Sequence, residues 1–598
     1  MTTPPTMDSQ RPVEHRPATY NPAAGGVTPN REASNGNRGR ASVGFKSRRL
    51  AAGTAIGIVA VFISAARLLW IEADFPTGLN WSGDLYTDEG GYASAAVLFV
   101  TAGHWLVPGD FNPIVNMPMA QLVHALVFEL AGPSLASARY TSVAWSLWLI
   151  LGTYLLVRRY AGSLQGAVAA LLLSANFTYF AFSRIALNEV PTMGWVMLAI
   201  LVLTTGPSRA STVFSAILFS AAILTKPTAL FALPALLYVV LHRSPDGKAA
   251  AMDAAAFLAA VAALAGGYHL WARANFPTDY AYFDSLLIDT RVTLGLGPMI
   301  WNLLRTIWHS LVLGPFLCPL AVTSAIGLIV LSPNARRNPA LWIATLWLAG
   351  ASLVLIASSY HPPRYFLLLS VPAVVLVAMG TVELLQRFPR SKLGLLVSSL
   401  VAVSLALDIA RAVRYLASPE YSLLEMAEDV GARIREEGLE DPVLLGNMAD
   451  TIGLVTGLRS VDDRLGWMEL AERLELHSPD YYISLGVYES LNDTISDFGQ
   501  LELLAVYDVL GNYYSGKQVY FYRITPREAS EYYGAAMDSA TRAERPRRTD
   551  GQRPIPGESS PLERASGSLG WGREDACGAT PQGLGRERPR PQDARLMC

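Results

Sequence analysis

Long apolar stretches separated by short polar ones dominate the chain from residue 50 to about residue 412. The first covers residues 50–71, about 22 residues, or about 33 Å as a helix, which is enough to cross the hydrocarbon of a bilayer. Further stretches cover 140–157, 164–182, 187–204, 212–225 and 229–241, followed by 252–271, 307–331, 341–358, 366–385 and 393–412. By length they predict about eleven transmembrane helices. The stretch 212–225 is short and suits a thin membrane or a helix with little tilt. Between the first two stretches, residues 93–102 and 117–131 are apolar but too short to cross, and Pro113 and Pro118 interrupt the segment. They are expected to lie against the bilayer as interfacial helices.

The pattern changes after Ala417. Ser418-Pro419-Glu420 reads as a helix start, with serine able to cap and proline at the first helical position. Leu423, Ala427, Val430 and Ile434 then share one helical face. Short strand-like runs follow at 442–445, 481–485, 503–507 and 518–524, the last two separated by the turn-forming pairs Gly511-Asn512 and Ser515-Gly516. This predicts a small α/β domain over 418–525, an ordinary size for one core. Residues 1–49 and 526–598 are rich in Arg, Pro, Gly and other polar residues and are expected to be disordered tails. The first shows no apolar core like that of a signal peptide. The expected fold class is therefore an all-α polytopic membrane protein, its helical domain spanning 50–415, with a small C-terminal α/β domain.

Lysine and arginine orient the bundle. Lys46, Arg48 and Arg49 precede the first span and place the amino terminus in the cytoplasm. Counting alternately, the next cytoplasmic loops hold Arg158-Arg159, Arg209, His242-Arg243 with Lys248, Arg336-Arg337, and Arg387, Arg390 and Lys392. Every loop that the count places inside carries the required positive charge. The same count puts Asp88-Glu89, Glu189, Lys226, the segment 273–305, His361-Pro362-Pro363-Arg364 and the C-terminal domain on the outer face. Composition agrees with a membrane protein: 51% hydrophobic, 16% charged, mean hydropathy +0.29. A formal net charge of −2 gives no sign of nucleic-acid binding. Cys318, Cys577 and Cys598 have no metal-like or redox-like spacing.

Ionisable residues at a membrane edge are expensive unless paired or hydrated, so their gathering on one face calls for a reason. Sugar transfer from a lipid phosphate would supply one. It needs a base for the acceptor proton, positive charge for the departing phosphate, and an apolar groove for the lipid tail. Asp88, Glu89 and Glu189 suit the first task; Arg184, Lys226, His361 and Arg364 suit the second. Taken singly, each also has a bland reading as a solvated loop acid, a snorkelling side chain or an interfacial anchor. Their coincidence on one face favours chemistry.

The run Asp88-Glu89-Gly90-Gly91-Tyr92, followed by Gly103-His104-Trp105 and Pro108, resembles the first outer loop of GT-C glycosyltransferases. The likeness is to the bacterial branch of the protein O-mannosyltransferase and lipid A aminoarabinose transferase family. Three later pieces match in the family's order: Ser183-Arg184-Ile185-Ala186-Leu187-Asn188-Glu189, Leu224-Thr225-Lys226-Pro227, and His361-Pro362-Pro363-Arg364-Tyr365 with Pro372. The resemblance covers roughly 50–415. It implies a polyprenyl-phosphate sugar donor, a lipid, glycan or protein acceptor, and inverting transfer at the outer face of a bacterial plasma membrane. It implies Asp88 as general base with Glu89 beside it, Glu189 as a second acid, Arg364 near the donor phosphate, and Lys226 as a recurrent lysine. Tyr365 goes with Arg364 among the expected substrate-binding residues. One departure stands out: relatives of the aminoarabinose enzyme carry Glu-Lys-Pro, whose Glu helps hold a metal, where this chain has Asn116-Met117-Pro118. That bears on aminoarabinose specificity and on metal dependence, and no clear ligand set for a divalent metal can be read.

The rival from another class is a transporter or lipid flippase without covalent chemistry. Such a protein is expected to carry ionisable residues near the midplane of its spans. Here the spans are nearly free of charge at mid-depth and the acids sit at their outer ends, which favours the transferase. A catalytically dead scaffold is the third reading, and activity of Asp88→Asn separates it from the first.

Overall fold

The computed structural model describes residues 51–526 apart from 80–84, 207, 245, 287–294, 390, 487–488 and 512–516. Both expected tails, with Cys577 and Cys598, lie outside the described residues. The described chain opens with α1 (Ala51–Leu68), followed by α2 (Leu85–Gly91), α3 (Ser94–Ala102), α4 (Pro113–Asn116) and α5 (Pro118–Ala131). The bundle continues with α6 (Leu135–Tyr160), α7 (Ser163–Ala175), α8 (Phe177–Phe182), α9 (Glu189–Thr204), α10 (Arg209–Thr225) and α11 (Leu233–Arg243). Then come α12 (Gly247–Val261), α13 (Gly267–Asn275), α14 (Pro277–Asp284), α15 (Leu296–His309), α16 (Leu317–Leu331), α17 (Pro333–Arg336), α18 (Pro339–Ile356), α19 (Ser370–Arg387) and α20 (Lys392–Ala417).

Among the described residues, six helical stretches are long and apolar enough to cross a membrane, and a bent pair makes a seventh. They include Leu135–Tyr160, the continuous Gly247–Asn275 and Pro363–Arg387. The chain is an integral membrane protein of mostly helical architecture. Four further stretches expected to span contain shorter apolar helices: Ser163–Ala175, Glu189–Thr204, Arg209–Thr225 and Pro227–Arg243. At 1.5 Å per residue, a 16-residue helix such as α9 covers only about 24 Å. In Pro363–Arg387 94% of the most apolar window is buried inside the protein, against 11% for the stretch that begins with α20. The former is the hub of the bundle, and the latter leaves most of its apolar sides outside the protein core.

Three local expectations are corrected. The stretch 307–331 is not one straight helix: Leu296–Leu313 and Leu317–Leu331 meet at 108°, where Gly314 adopts a φ of +115° just before Pro315. Glycine tolerates that left-handed backbone, and proline prevents the helix from resuming at once. Residues 164–182 break at Asn176, whose side chain accepts from the Tyr179 amide at 2.9 Å and starts α8. The segment around Asp88 is not a loop but the short helix α2.

The C-terminal unit begins with α21 (Ser422–Glu436) and contains β1 (Val443–Leu445), α22 (Ala449–Thr456), β2 (Arg459–Val461), α23 (Leu470–His477), β3 (Tyr481–Leu485), α24 (Glu489–Phe498), β4 (Gly499–Val509) and β5 (Lys517–Pro526). The sheet order is β2-β1-β3-β5-β4, with β1 parallel to β2 and β3 and the β4–β5 hairpin antiparallel. Alternation along the strands sorts side chains to two faces. Leu444, Tyr481 and Ile483 join the core that includes α21, while Val443, Leu445 and Tyr482 pack with Leu474 and Ile495 from α23 and α24. The expected helix start at Ser418 is also corrected. Helix α20 runs to Ala417 and α21 begins at Ser422, capped from 348 residues away by Asp74, whose carboxylate accepts from the amides of Ser422 (2.9 Å) and Leu423 (3.2 Å). A carboxylate at a helix N-terminus satisfies amides that have no partner within the helix.

A clasp joins this unit to the segment between α3 and α4. Asp110 accepts from the Asp462 amide at 3.0 Å and faces Arg473 at 3.4 Å. Arg473 also donates to the carbonyls of Asp462 and Leu465, and the His477 ring meets the Pro108 carbonyl at 2.8 Å. The Gly466 amide donates to the Tyr282 hydroxyl at 3.1 Å, which brings in the segment after α13.

Candidate active site

Adjacent residues on a helix point about 100° apart, so Asp88 and Glu89 on α2 must face different neighbours. Glu89 is buried and accepts two parallel bonds from Arg139 of α6, at 2.8 and 2.6 Å. It also accepts from the Ala186 amide at 2.9 Å, while Arg139 donates to the carbonyls of Ile71 and Ala73 at 3.0 and 2.8 Å. This pair ties α2 to the end of the first span, to α6 and to the segment before α9. Asp88 instead faces Arg364, with which it forms an ion pair.

Arg364 lies in the tight helical turn Pro363–Leu369, buried throughout, and its Nε also stands 3.4 Å from Oε1 of Glu189. Glu189 is the first residue of α9, where the positive end of the helix dipole favours a carboxylate. The same Oε1 accepts from Lys226 Nζ at 2.5 Å. Lys226 ends α10 in an extended conformation, as a residue before proline must, and a cation suits that end of a helix. The rings of Tyr365 and Tyr92 flank its ammonium, with centroids at 4.7 and 5.7 Å. The tertiary structure thus assembles Asp88, Arg364, Glu189 and Lys226 into one chain of four alternating charges, with Tyr365 against it. Glu189, Lys226 and Arg364 are each less than a tenth exposed. Among the described residues, Oε2 of Glu189 has no hydrogen-bond partner.

Two of the expected residues lie elsewhere. Arg184 donates to the backbone carbonyls of Leu69 and Trp70 and stacks over Tyr415, 5.0 Å from its centroid, so it anchors the end of the first span. His361 is buried with its ring 6.4 Å from that of Phe366, on the side of Arg305 and His309. Arg139 and Tyr92 were not among the expected site residues. The sign of Arg139 was available: it is an arginine at the outer end of a span, where the orientation count demands none. Tyr92 closes the Asp88 motif itself.

Among the described residues no group of three or more His, Cys, Asp or Glu is placed to hold a metal ion. Asn116, at the position of the departure from Glu-Lys-Pro, is fully buried, and neither polar atom of its amide has a hydrogen-bond partner among the described residues. Its neighbour Met117 accepts a long bond from Asn188, the residue before Glu189, at 3.5 Å.

Residues 113–271 match the family model described as dolichyl-phosphate-mannose-protein mannosyltransferase, a segment that contains Glu189 and Lys226. None of the curated proteins matches the sequence. Among solved structures, the chain is similar to ArnT from Cupriavidus metallidurans bound to undecaprenyl phosphate, with a TM-score of 0.51 at 13% identity. The same ArnT in the apo state gives 0.51 at 14%, and both matches cover 80% of this chain and 98% of the other. At these identities the likeness concerns the fold. Residues 113–271 thus resemble the dolichyl-phosphate-mannose-protein mannosyltransferase family, and the chain as a whole shares its fold with ArnT.

Proposed function

We propose that the protein moves a sugar from a polyprenyl phosphate to an acceptor hydroxyl at the outer face of a bacterial plasma membrane, with inversion at the anomeric carbon. In this reading the four shorter apolar helices also reach across the bilayer, giving eleven spans and placing the charged chain at their outer ends. Asp88 takes the acceptor proton as the acceptor oxygen bonds to the anomeric carbon and the bond from that carbon to the phosphate oxygen breaks. Arg364, with Lys226 behind it, stabilises the leaving polyprenyl phosphate, and Glu189 orients the two cations.

The observation that carries this reading is that Arg364 is shared between Asp88 and Glu189, with Lys226 closing the chain. During transfer Asp88 gains a proton and loses its charge, while the phosphate gains one negative charge. The charge passes from one neighbour of Arg364 to another, and the guanidinium can follow it. Planar, bidentate recognition of phosphate is a task for which arginine is suited. The structure of ArnT with undecaprenyl phosphate supports a polyprenyl donor for a chain of this fold.

The test is radiolabel transfer in membranes supplied with a panel of polyprenyl-phosphate sugars, with and without chelator. Transfer from one donor, abolished in Asp88→Asn, is the expected result. Lipid movement across the bilayer without any sugar transfer would replace this reading with the transporter.

A further inference from the structure

The motif Gly103-His104-Trp105 takes no part in the charged chain, yet it borders a cavity of about 320 Å³. That is at the lower end of the range of about 300–1,000 Å³ usual for small-ligand sites. One wall comes from α3 and the loop after it, through Ser94, His104 and Trp105. The other comes from α22 and β2, through Asp450, Arg459 and Ser460. Asp88, Glu189, Lys226 and Arg364 do not line it.

The walls are prearranged and polar. The Trp105 ring stacks on Phe99 with centroids 4.2 Å apart and an interplanar angle of 12°, so its orientation is set before any ligand arrives. Asp450 accepts from the Ser460 hydroxyl at 2.7 Å, and Arg459 stands 3.6 Å from Asp441. An apolar ligand would cut the remaining donors and acceptors of these groups off from water. A phosphate or acidic headgroup would meet Asp441 and Asp450 against Arg459, beside an Asp110 already paired with Arg473. A neutral polyol suits both features, since its hydroxyls donate to carboxylates and accept from the guanidinium, and a sugar's apolar face can lie on an indole.

The cavity also adjoins the helix that carries Asp88. A Cβ on Gly90 would stand 2.2 Å from the Thr451 backbone nitrogen, so only glycine lets α2 lie this close to α22. Ser94, in the cavity wall, donates to the Gly91 carbonyl at 3.1 Å. We propose that this cavity is a subsite for a neutral saccharide, holding one sugar residue of a glycan acceptor beside the helix that bears Asp88. The acceptor role rests on the transferase reading above.

The experiment uses the full-length enzyme in lipid nanodiscs. Methyl α-mannopyranoside, methyl β-galactopyranoside and a mannotriose are titrated by saturation-transfer NMR, with inorganic phosphate and a threonine-containing peptide as competitors. Wild type is expected to bind at least one saccharide, and Trp105→Ala to weaken that binding about tenfold. Thr101→Trp, at an exposed α3 position whose hydroxyl bonds only within the helix, fills the cavity and should abolish binding even if Trp105→Ala folds poorly. No saccharide binding, binding unchanged in both variants, or displacement by the peptide overturns the saccharide assignment. Sugar transfer with an unchanged acceptor KM in both variants overturns the acceptor role while leaving the transferase standing. Saccharide binding lost in the variants, in a wild-type protein that transfers no sugar, overturns the transferase reading and leaves the saccharide site standing.

Discussion

The charged chain of Asp88, Arg364, Glu189 and Lys226 and the clasp beneath the C-terminal unit both bury carboxylates against an arginine, but their hydrogen bonds come from different sources. In the clasp, backbone groups do most of the satisfying. Asp110 takes the amides of Phe111 and Asp462, Asp462 takes those of Arg464 and Leu465, and Arg473 spends its donors on carbonyls. The Glu89–Arg139 pair is built the same way, on the Ala186 amide and two carbonyls. In the chain of Asp88, Arg364, Glu189 and Lys226, ions face ions, two cations share one oxygen of Glu189, and its other oxygen has no hydrogen-bond partner among the described residues. Backbone partners cannot leave without unfolding their segment. Side-chain ions can exchange one another for a phosphate or a proton.

The largest effect should separate the two neighbours on α2. Asp88→Asn is expected to cut turnover by about 10²–10⁴-fold with donor affinity largely kept, because the amide cannot take a proton. Glu89→Gln should instead lower stability, because it leaves Arg139 buried without its countercharge. Breaking a buried pair from one side costs roughly 3–5 kcal/mol. Thermal melts and turnover on both variants decide it: a stable but dead Glu89→Gln beside an active Asp88→Asn would exchange the two assignments.

Next comes the clasp. Arg473→Ala leaves buried carboxylates uncompensated and should cost roughly 3 kcal/mol, read as a lower melting temperature and faster hydrogen exchange in 459–485. Turnover of the folded fraction should change little. A large loss of turnover at unchanged stability would mean that the clasp belongs to the chemistry.

A smaller effect is expected from the choice of cation. Arg364→Ala should reduce donor use about 10–100-fold and Arg364→Lys less, since lysine keeps the charge but loses the paired hydrogen bonds. Equal rates in wild type and both variants would make Arg364 a structural partner of Asp88 and Glu189 with no contact to the donor.

The smallest effect is on pH dependence. Burial, with the charge of Asp462, pushes the Asp463 carboxyl up to about 7 and that of Asp450 to about 6. A carboxyl raised in the folded state holds its proton more tightly there, so stability should rise as pH falls from about 8 towards 6.5. Burial lowers the pKa of His477, so its protonation opposes folding and works against the trend below about 6.5. Melts of wild type and Asp463→Asn across this window should show the rise in the first and less of it in the second.

The sequence by itself determined most of what depends on a run of neighbours. Apolar length marked the six or seven helical stretches long enough to cross a membrane, and short strand-like runs bounded by turn residues marked β1, β3, β4 and β5, because burial of a local run needs no knowledge of the partner. The equally short β2, Arg459-Ser460-Val461, was missed because two of its three residues are polar, whereas β1 is Val-Leu-Leu. Asp88, Glu189, Lys226 and Arg364 were legible as ionisable residues collected on one face. What only the tertiary structure decided is which ion meets which. Glu89 finds Arg139 fifty residues on, α21 is capped by an aspartate 348 residues earlier, and Gly90 is required by a backbone from the C-terminal unit. These pairings follow from packing between distant segments: each charge leaves water only if a particular partner arrives with it, and no local propensity encodes which partner that will be.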